Sequence, residues 1–278
     1  SELPQNNRRR VLLRWAKVLI LLYCVVGIAW YYGQDKLLFH PRAVDKKEVY
    51  TFGQPFTELN FRNDTANLNI IQFRATDRPA DSPAKGVVLY FHGNTGGNSL
   101  YAPVAADFTS KGYEIWMLDY PGFGKSTGAF SEKKLYENAL IFYKLARSRW
   151  KPVQIVLYGR SMGTAIAAQL AAVRDCRRLM LESPAYSLTS VARRYLFLYP
   201  VGTMLHYHFP TNEYLPAVTA PITIFQGDAD RTVPYSNASR LKPLLKPGDE
   251  FVTVPGGGHN DLRDKPLFRT KLDSVLAL

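Results

Sequence analysis

Gln154-Ile155-Val156-Leu157-Tyr158-Gly159-Arg160-Ser161-Met162-Gly163-Thr164-Ala165-Ile166-Ala167-Ala168 is the stretch that decides the fold. The apolar run 153–158 is short and continuous, as in a strand buried on both faces, and the small-residue run 162–173 reads as a helix. Between them stands G-x-S-x-G. A turn this tight between strand and helix needs glycines on either side of the serine, whose hydroxyl then projects above the sheet. The helix that follows offers N–H groups and its positive dipole end to a developing oxyanion. Five letters alone would be a weak signal; strand before and helix after make Ser161 a candidate nucleophile.

Outward from this turn, strands and helices alternate. Runs 87–91, 113–118, 179–181, 222–225 and 251–254 read as strands, and 100–110, 131–149, 236–245 and 267–276 as helices. Short apolar strands separated by helices predict an α/β fold with a mostly parallel central sheet covered on both faces. Upstream, 57–62 and 68–75 read as a hairpin about Asn63-Asp64, and 77–85, with two prolines, as a loop.

In such sheets the chemistry lies at the carboxyl ends of the strands. Strand 222–225 runs into Gly227-Asp228-Ala229-Asp230, and strand 251–254 into Gly256-Gly257-Gly258-His259. The chain order Ser, Asp, His, each just past a strand, is that of the α/β-hydrolase triad. Asp230 is the expected acid, with Asp228 the competitor, and His259 the expected base. Strand 87–91 leads into His92-Gly93-Asn94-Thr95-Gly96-Gly97, the kind of loop that furnishes an oxyanion hole. The expected donors are the backbone N–H groups of Asn94 (alternatively Thr95) and Met162, with His92 a buttress of the loop.

These motifs together resemble an α/β-hydrolase, and specifically the membrane-anchored, abhydrolase-domain-containing serine hydrolases (serine-aminopeptidase-like or depalmitoylase-like). That group combines an N-terminal anchor, H-G-N, D-Y-x-G-x-G-x-S (here Asp119 to Ser126), G-x-S-x-G, G-x-x-D-x-x-V-P and a late G-x-H. The resemblance covers residues 57–278 and implies Ser161, Asp230 and His259 as nucleophile, acid and base, without metal or organic cofactor. Eukaryotic members include protein depalmitoylases. Where that group often has arginine this chain has Pro121, so no functional contact is assigned there.

The chain has 278 residues, 46% hydrophobic and 21% charged, which fits a packed core and excludes disordered and collagen-like classes. Two cysteines, Cys24 and Cys176, build neither a disulfide framework nor a zinc site. Of the +12 net charge, +4 sits in the first seventeen residues, where Arg8, Arg9, Arg10, Arg14 and Lys17 face only Glu2. The uncharged run 18–32 follows, ending in Trp30-Tyr31-Tyr32. With Arg14 and Lys17 snorkelling, 11–32 is long enough to cross a bilayer. A cleaved secretory signal is the rival, but bulky aromatics directly after Ala29 make a poor cleavage site. Residues 1–33 are therefore expected to be a basic segment and transmembrane anchor, 34–56 a connector, and 57–278 the catalytic domain with a short cap over 183–217. The basic flank places the N-terminus in the cytoplasm and the catalytic domain outside it, in periplasm or lumen.

Gly122-Phe123-Gly124-Lys125-Ser126 ends like a phosphate loop, but the first glycine that motif requires is Asp119 here. The remaining charge carries no nucleic-acid reading motif and suits an anionic lipid surface. The expected partners are thus a small-molecule or lipid/acyl substrate and a membrane, with no nucleic acid and no metal. The expected reaction is hydrolysis of a carboxylic ester or thioester. The alternatives are peptide or amide cleavage on the same triad, and a catalytically silent tethered binding module. Aromatic residues between Tyr195 and Phe209 either pack on the sheet or form an apolar acyl pocket or membrane-facing lip. Asn63/Thr65 and Asn237/Ser239 match glycosylation sequons, a pattern frequent by chance.

Overall fold

Eight strands hydrogen-bond into one sheet in a computed structural model that describes residues 5–62, 66–76 and 82–277. The expected turn at Asn63-Asp64, its sequon and residues 77–81 of the expected loop lie outside the described residues. The strands are β1 (His40–Pro41), β2 (Phe56–Arg62), β3 (Asn67–Phe73), β4 (Gly86–Phe91), β5 (Thr95–Gly96), β6 (Tyr113–Leu118), β7 (Ile155–Arg160), β8 (Arg178–Glu182), β9 (Ile222–Gly227) and β10 (Glu250–Val254). The sheet order is β10-β9-β8-β7-β4-β6-β3-β2. β3 runs against both β2 and β6, and every other pairing in the sheet is parallel. β1 and β5 form a separate parallel pair.

The α-helices are α1 (Gln5–Leu38), α2 (Asn98–Tyr101), α3 (Ala106–Thr109), α4 (Glu132–Arg147), α5 (Gly163–Val173), α6 (Leu188–Tyr195), α7 (Val201–Met204), α8 (Thr211–Tyr214), α9 (Tyr235–Ala238) and α10 (Pro266–Ala277). The strand period of two sorts β4 between two cores: Val87, Leu89 and Phe91 pack on the side of α4 and α5, Val88 and Tyr90 on the side of α3 and α10. α4 starts where Ser131 caps it, its Oγ accepting from the Lys134 N–H at 3.2 Å. Its buried residues Leu135, Ala139, Phe142 and Ala146 recur at helical spacing.

Two expectations are corrected by particular residues. The helix expected over 100–110 is broken into α2, a 3-10 turn (Ala102–Ala105) and α3, because Pro103 has no N–H to give. The helix expected over 236–245 is α9 followed by a 3-10 stretch (Ser239–Leu244) that contains Pro243. The apolar N-terminal helix α1 runs on through Leu38, since Gly33 is followed by helix-compatible Gln34 to Leu38. After it, β1 pairs with β5 in the loop that follows β4.

Candidate active site

Ser161 sits at the tip of the β7–α5 turn with φ 51°, a left-handed conformation costly for a residue with a Cβ. The flanking glycines make the turn possible. A Cβ on Gly159 would lie 2.6 Å from Thr164 Cα, and one on Gly163 would overlap the Phe91 carbonyl. β8 fixes the turn from the other side, where the Glu182 carbonyl accepts from the Ser161 N–H at 2.8 Å.

The loops after β9 and β10 come together by the same device. A Cβ on Gly227 would run into the Gly257 backbone, and one on Gly257 would meet Leu262 Cδ2 at 2.5 Å. Without those side chains the loops hydrogen-bond directly, Ala229 N–H to the Gly257 carbonyl at 3.0 Å. This brings His259 between the other two candidates: its Nε2 is 2.9 Å from Ser161 Oγ and its Nδ1 is 2.8 Å from Asp230 Oδ2. Asp230 is buried and its other oxygen, Oδ1, accepts from the Thr232 and Val233 N–H groups at 2.9 and 2.8 Å. Asp228 is exposed and caps the Gly256 N–H at 2.7 Å, turned to a different task.

Asn94 and Met162 both line the cavity above Ser161, and among the described residues neither backbone N–H has a protein acceptor. The Asn94 loop is braced by the end of α1. Its side chain donates to the Leu38 carbonyl at 2.6 Å, its own carbonyl accepts from His40 N–H at 2.9 Å, and β1 pairs with β5. His92 is fully buried, with Nδ1 2.7 Å from the Gly93 carbonyl. Asp119 holds the loop's far side by accepting from the Asn98 N–H at 2.7 Å. Lys125, the lysine of the phosphate-loop look-alike, is buried on Glu58 at 3.0 Å and over the Tyr50 ring. Asn237 spends its amide on Tyr186 N–H and Ser190 Oγ, tying α9 to the segment between β8 and β9.

One feature of the site was not legible beforehand. Glu182, 1% exposed, accepts from Tyr158 Oη at 2.5 Å and from Arg263 at 3.0 Å, and lies 3.3 Å from Arg160 Nε. Burial alone would raise its carboxyl, but Arg263 and Arg160 hold it below the ordinary carboxylate range. Burial keeps the Tyr158 hydroxyl protonated and so a donor. Arg160 also reaches Asn260 Oδ1 at 3.1 Å, joining the serine turn to the histidine loop. Glu182→Leu leaves two arginines without their buried partner and is expected to cost about 3–5 kcal/mol. Because the folded carboxyl titrates below its unfolded value, this contribution is whole above the ordinary carboxylate pKa and is lost as pH falls through the depressed one. Denaturation of both proteins in detergent from pH 8 downward checks this: the gap should narrow in acid, and a gap independent of pH would contradict it.

The cavity beside Ser161 has a volume of about 410 Å³ and is lined largely by apolar side chains, among them Leu38, Phe39, Leu188, Val191 and Phe209. Among the described residues, Arg231 is the charged one in its wall and no carboxylate lines it.

A sequence model of the serine aminopeptidase (S33) family matches residues 82–214, a stretch that includes Ser161 and stops short of Asp230 and His259. An uncharacterized protein of Mycobacterium tuberculosis is 33% identical over 176 residues, 63% of each chain. The chain thus matches somewhat less than two thirds of that relative's length. The uncharacterized protein YfhR of Escherichia coli is 26% identical over 268 residues, 93% of this chain and 90% of its own. Among solved structures, an esterase of Pyrococcus furiosus superposes with a TM-score of 0.67 at 16% identity, covering 86% of this chain and 97% of that one. With its mostly parallel sheet, its serine turn between strand and helix, and this structural likeness, the chain has the α/β-hydrolase fold.

Proposed function

We propose that this protein is a membrane-anchored serine hydrolase that cleaves carboxylic ester or thioester bonds in lipid-like or acylated substrates. The carrying observation is the unbroken hydrogen-bonded chain from Ser161 Oγ through His259 to Asp230. His259 Nε2 takes the hydroxyl proton as Ser161 attacks the acyl carbon, while Asp230 holds the imidazole in the right tautomer and offsets its positive charge. The Asn94 and Met162 N–H groups receive the oxyanion, each worth about 2.7–4 kcal/mol to the transition state if typical of such donors. His259 then returns the proton to the leaving alcohol or thiol, activates water against the acyl-enzyme, and the acid departs. The apolar cavity supports an acyl chain as the group held during this sequence. The long apolar helix α1 supports the anchor, with the basic N-terminal flank on the cytoplasmic side.

Labelling by a fluorophosphonate probe, lost in Ser161→Ala, tests the reading; a folded wild-type protein that does not label would mean a silent binding module. In a series of p-nitrophenyl esters, kcat/KM is expected to rise with chain length beyond four carbons. A preference for two to four carbons would exclude the long-acyl substrate.

The description of the matching family favours a second reading, aminopeptidase action. An aminopeptidase must receive a substrate ammonium, and here that group would face Arg231 in a wall without a carboxylate. Hydrolysis of aminoacyl p-nitroanilides faster than of esters would reverse the order of the two readings.

A further inference from the structure

The N-terminal helix is fastened to the segment between β8 and β9. Tyr23 stacks on Tyr199 with ring centroids 4.4 Å apart and planes within 4°. Tyr23 Oη donates to the Leu198 carbonyl at 3.0 Å, and Tyr199 Oη donates to the Tyr23 carbonyl at 2.8 Å. Gly27 permits this contact, since a Cβ there would lie 2.9 Å from Tyr199 Cε1. Higher up, Gln34, 1% exposed, donates to the Met204 carbonyl at 3.1 Å and accepts from the His206 N–H at 2.8 Å. Contacts spread from Tyr23 to Leu38 fix how deep the hydrolase domain sits relative to the apolar part of the helix.

That depth follows from helix rise. Residues 11–32 cover roughly 33 Å, matching a hydrocarbon layer of about 30 Å, and Tyr23 lies about 14 Å before Tyr32. The segment touching Tyr23 therefore lies below the headgroups. That segment is Leu196-Phe197-Leu198-Tyr199-Pro200, uncharged, with Phe197 75% and Leu198 67% exposed. Exposed Arg193 and Arg194 stand just before it, where anionic headgroups would be. Both tyrosine hydroxyls are paired with carbonyls, as hydrocarbon surroundings demand.

We infer that residues 196–200 enter the leaflet facing the hydrolase domain, and that the cavity above Ser161 receives acyl chains laterally from that leaflet. This inference rests on the hydrolase and anchor readings above. One cavity wall is built from Leu38 and Phe39 at the end of α1 and from Val191 and Tyr195 of α6, the helix that leads into residues 196–200. Leu38 stands about 9 Å beyond Tyr32, at headgroup depth, where the ester of a leaflet lipid or acyl-anchored substrate lies.

The test uses the full chain, with Cys24 and Cys176 replaced by serine, in phosphatidylcholine vesicles containing phosphatidylglycerol. Leu19→Cys, Phe197→Cys and Val153→Cys each carry an environment-sensitive fluorophore; Val153 is 67% exposed just before β7, at the opposite end of the sheet from Ser161. The labels at 19 and 197 are expected to shift to the blue and be quenched by spin-labelled lipid, and the label at 153 to remain aqueous. If 197 behaves like 153 while 19 is quenched, the loop faces water or another protein and the inference falls. If 19 is aqueous too, it falls together with the anchor. In Phe197→Asp/Leu198→Asp, hydrolysis of a vesicle-embedded long-chain ester should drop about 10-fold or more, with a soluble butyrate ester within about 2-fold of wild type. Equal loss on both substrates, or on neither, overturns lateral delivery. A wild type that cleaves neither ester removes the hydrolase reading and delivery with it, while the fluorescence still decides insertion.

Discussion

Ser161→Ala is expected to lower kcat on an activated ester by about 10⁶-fold, and His259→Ala by nearly as much. The double variant should be no slower than either single one, because the two side chains act in one step: without the imidazole the hydroxyl stays protonated, and without the hydroxyl the imidazole has nothing to unmask. The 2.9 Å contact between them is what makes the losses overlap. What survives should come from the free N–H groups of Asn94 and Met162, about 10³–10⁴ over water. Single-turnover kinetics of the three variants measure this, with circular dichroism as the check that each is folded. Losses that multiply in the double variant would mean that Ser161 and His259 serve separate steps, and the proposed mechanism would fail.

The parallel part of the sheet was legible because β4, β6, β7, β8, β9 and β10 are short, mainly apolar runs set between helices, whereas the two-residue strands β1 and β5 left no such run. Ser161 and His259 were legible for a related reason. Close backbone approaches at Gly159, Gly163, Gly227 and Gly257 exclude side chains, and that exclusion leaves a pattern in the letters. Glu182 left no such pattern. It ends an ordinary apolar strand, and its partners Tyr158, Arg160 and Arg263 are distant in the chain, so only the assembled sheet brings them into one buried cluster. The continuation of α1 to Leu38 was hidden because the residues from 33 on show no clear periodicity, whereas contacts to Met204 and His206 at Gln34 sustain the helix. Interrupted helices at Pro103 and Pro243 were misjudged by weighing hydrophobic spacing above the missing N–H.

The choice between Asp230 and Asp228 is decided by what each carboxylate can still do when one oxygen becomes an amide. At Asp230 the Thr232 and Val233 N–H groups hold one position as an acceptor. In Asp230→Asn the carbonyl must stay there, so the new NH₂ points at His259 Nδ1 and at Gln226 Nε2, which donates to Asp230 at 3.2 Å. A donor facing Nδ1 favours the tautomer with its proton on Nε2, and that nitrogen can no longer accept from Ser161. The expected loss in kcat is about 10⁴-fold with the fold intact. Asp228→Asn keeps an acceptor for the Gly256 N–H at an exposed position, so its kcat should remain within about 3-fold of wild type. Steady-state kinetics on one p-nitrophenyl ester compares the two. Should Asp228→Asn prove the slower enzyme, the acid belongs one turn nearer the strand, and His259 must swing toward the exposed side of the loop before it can act.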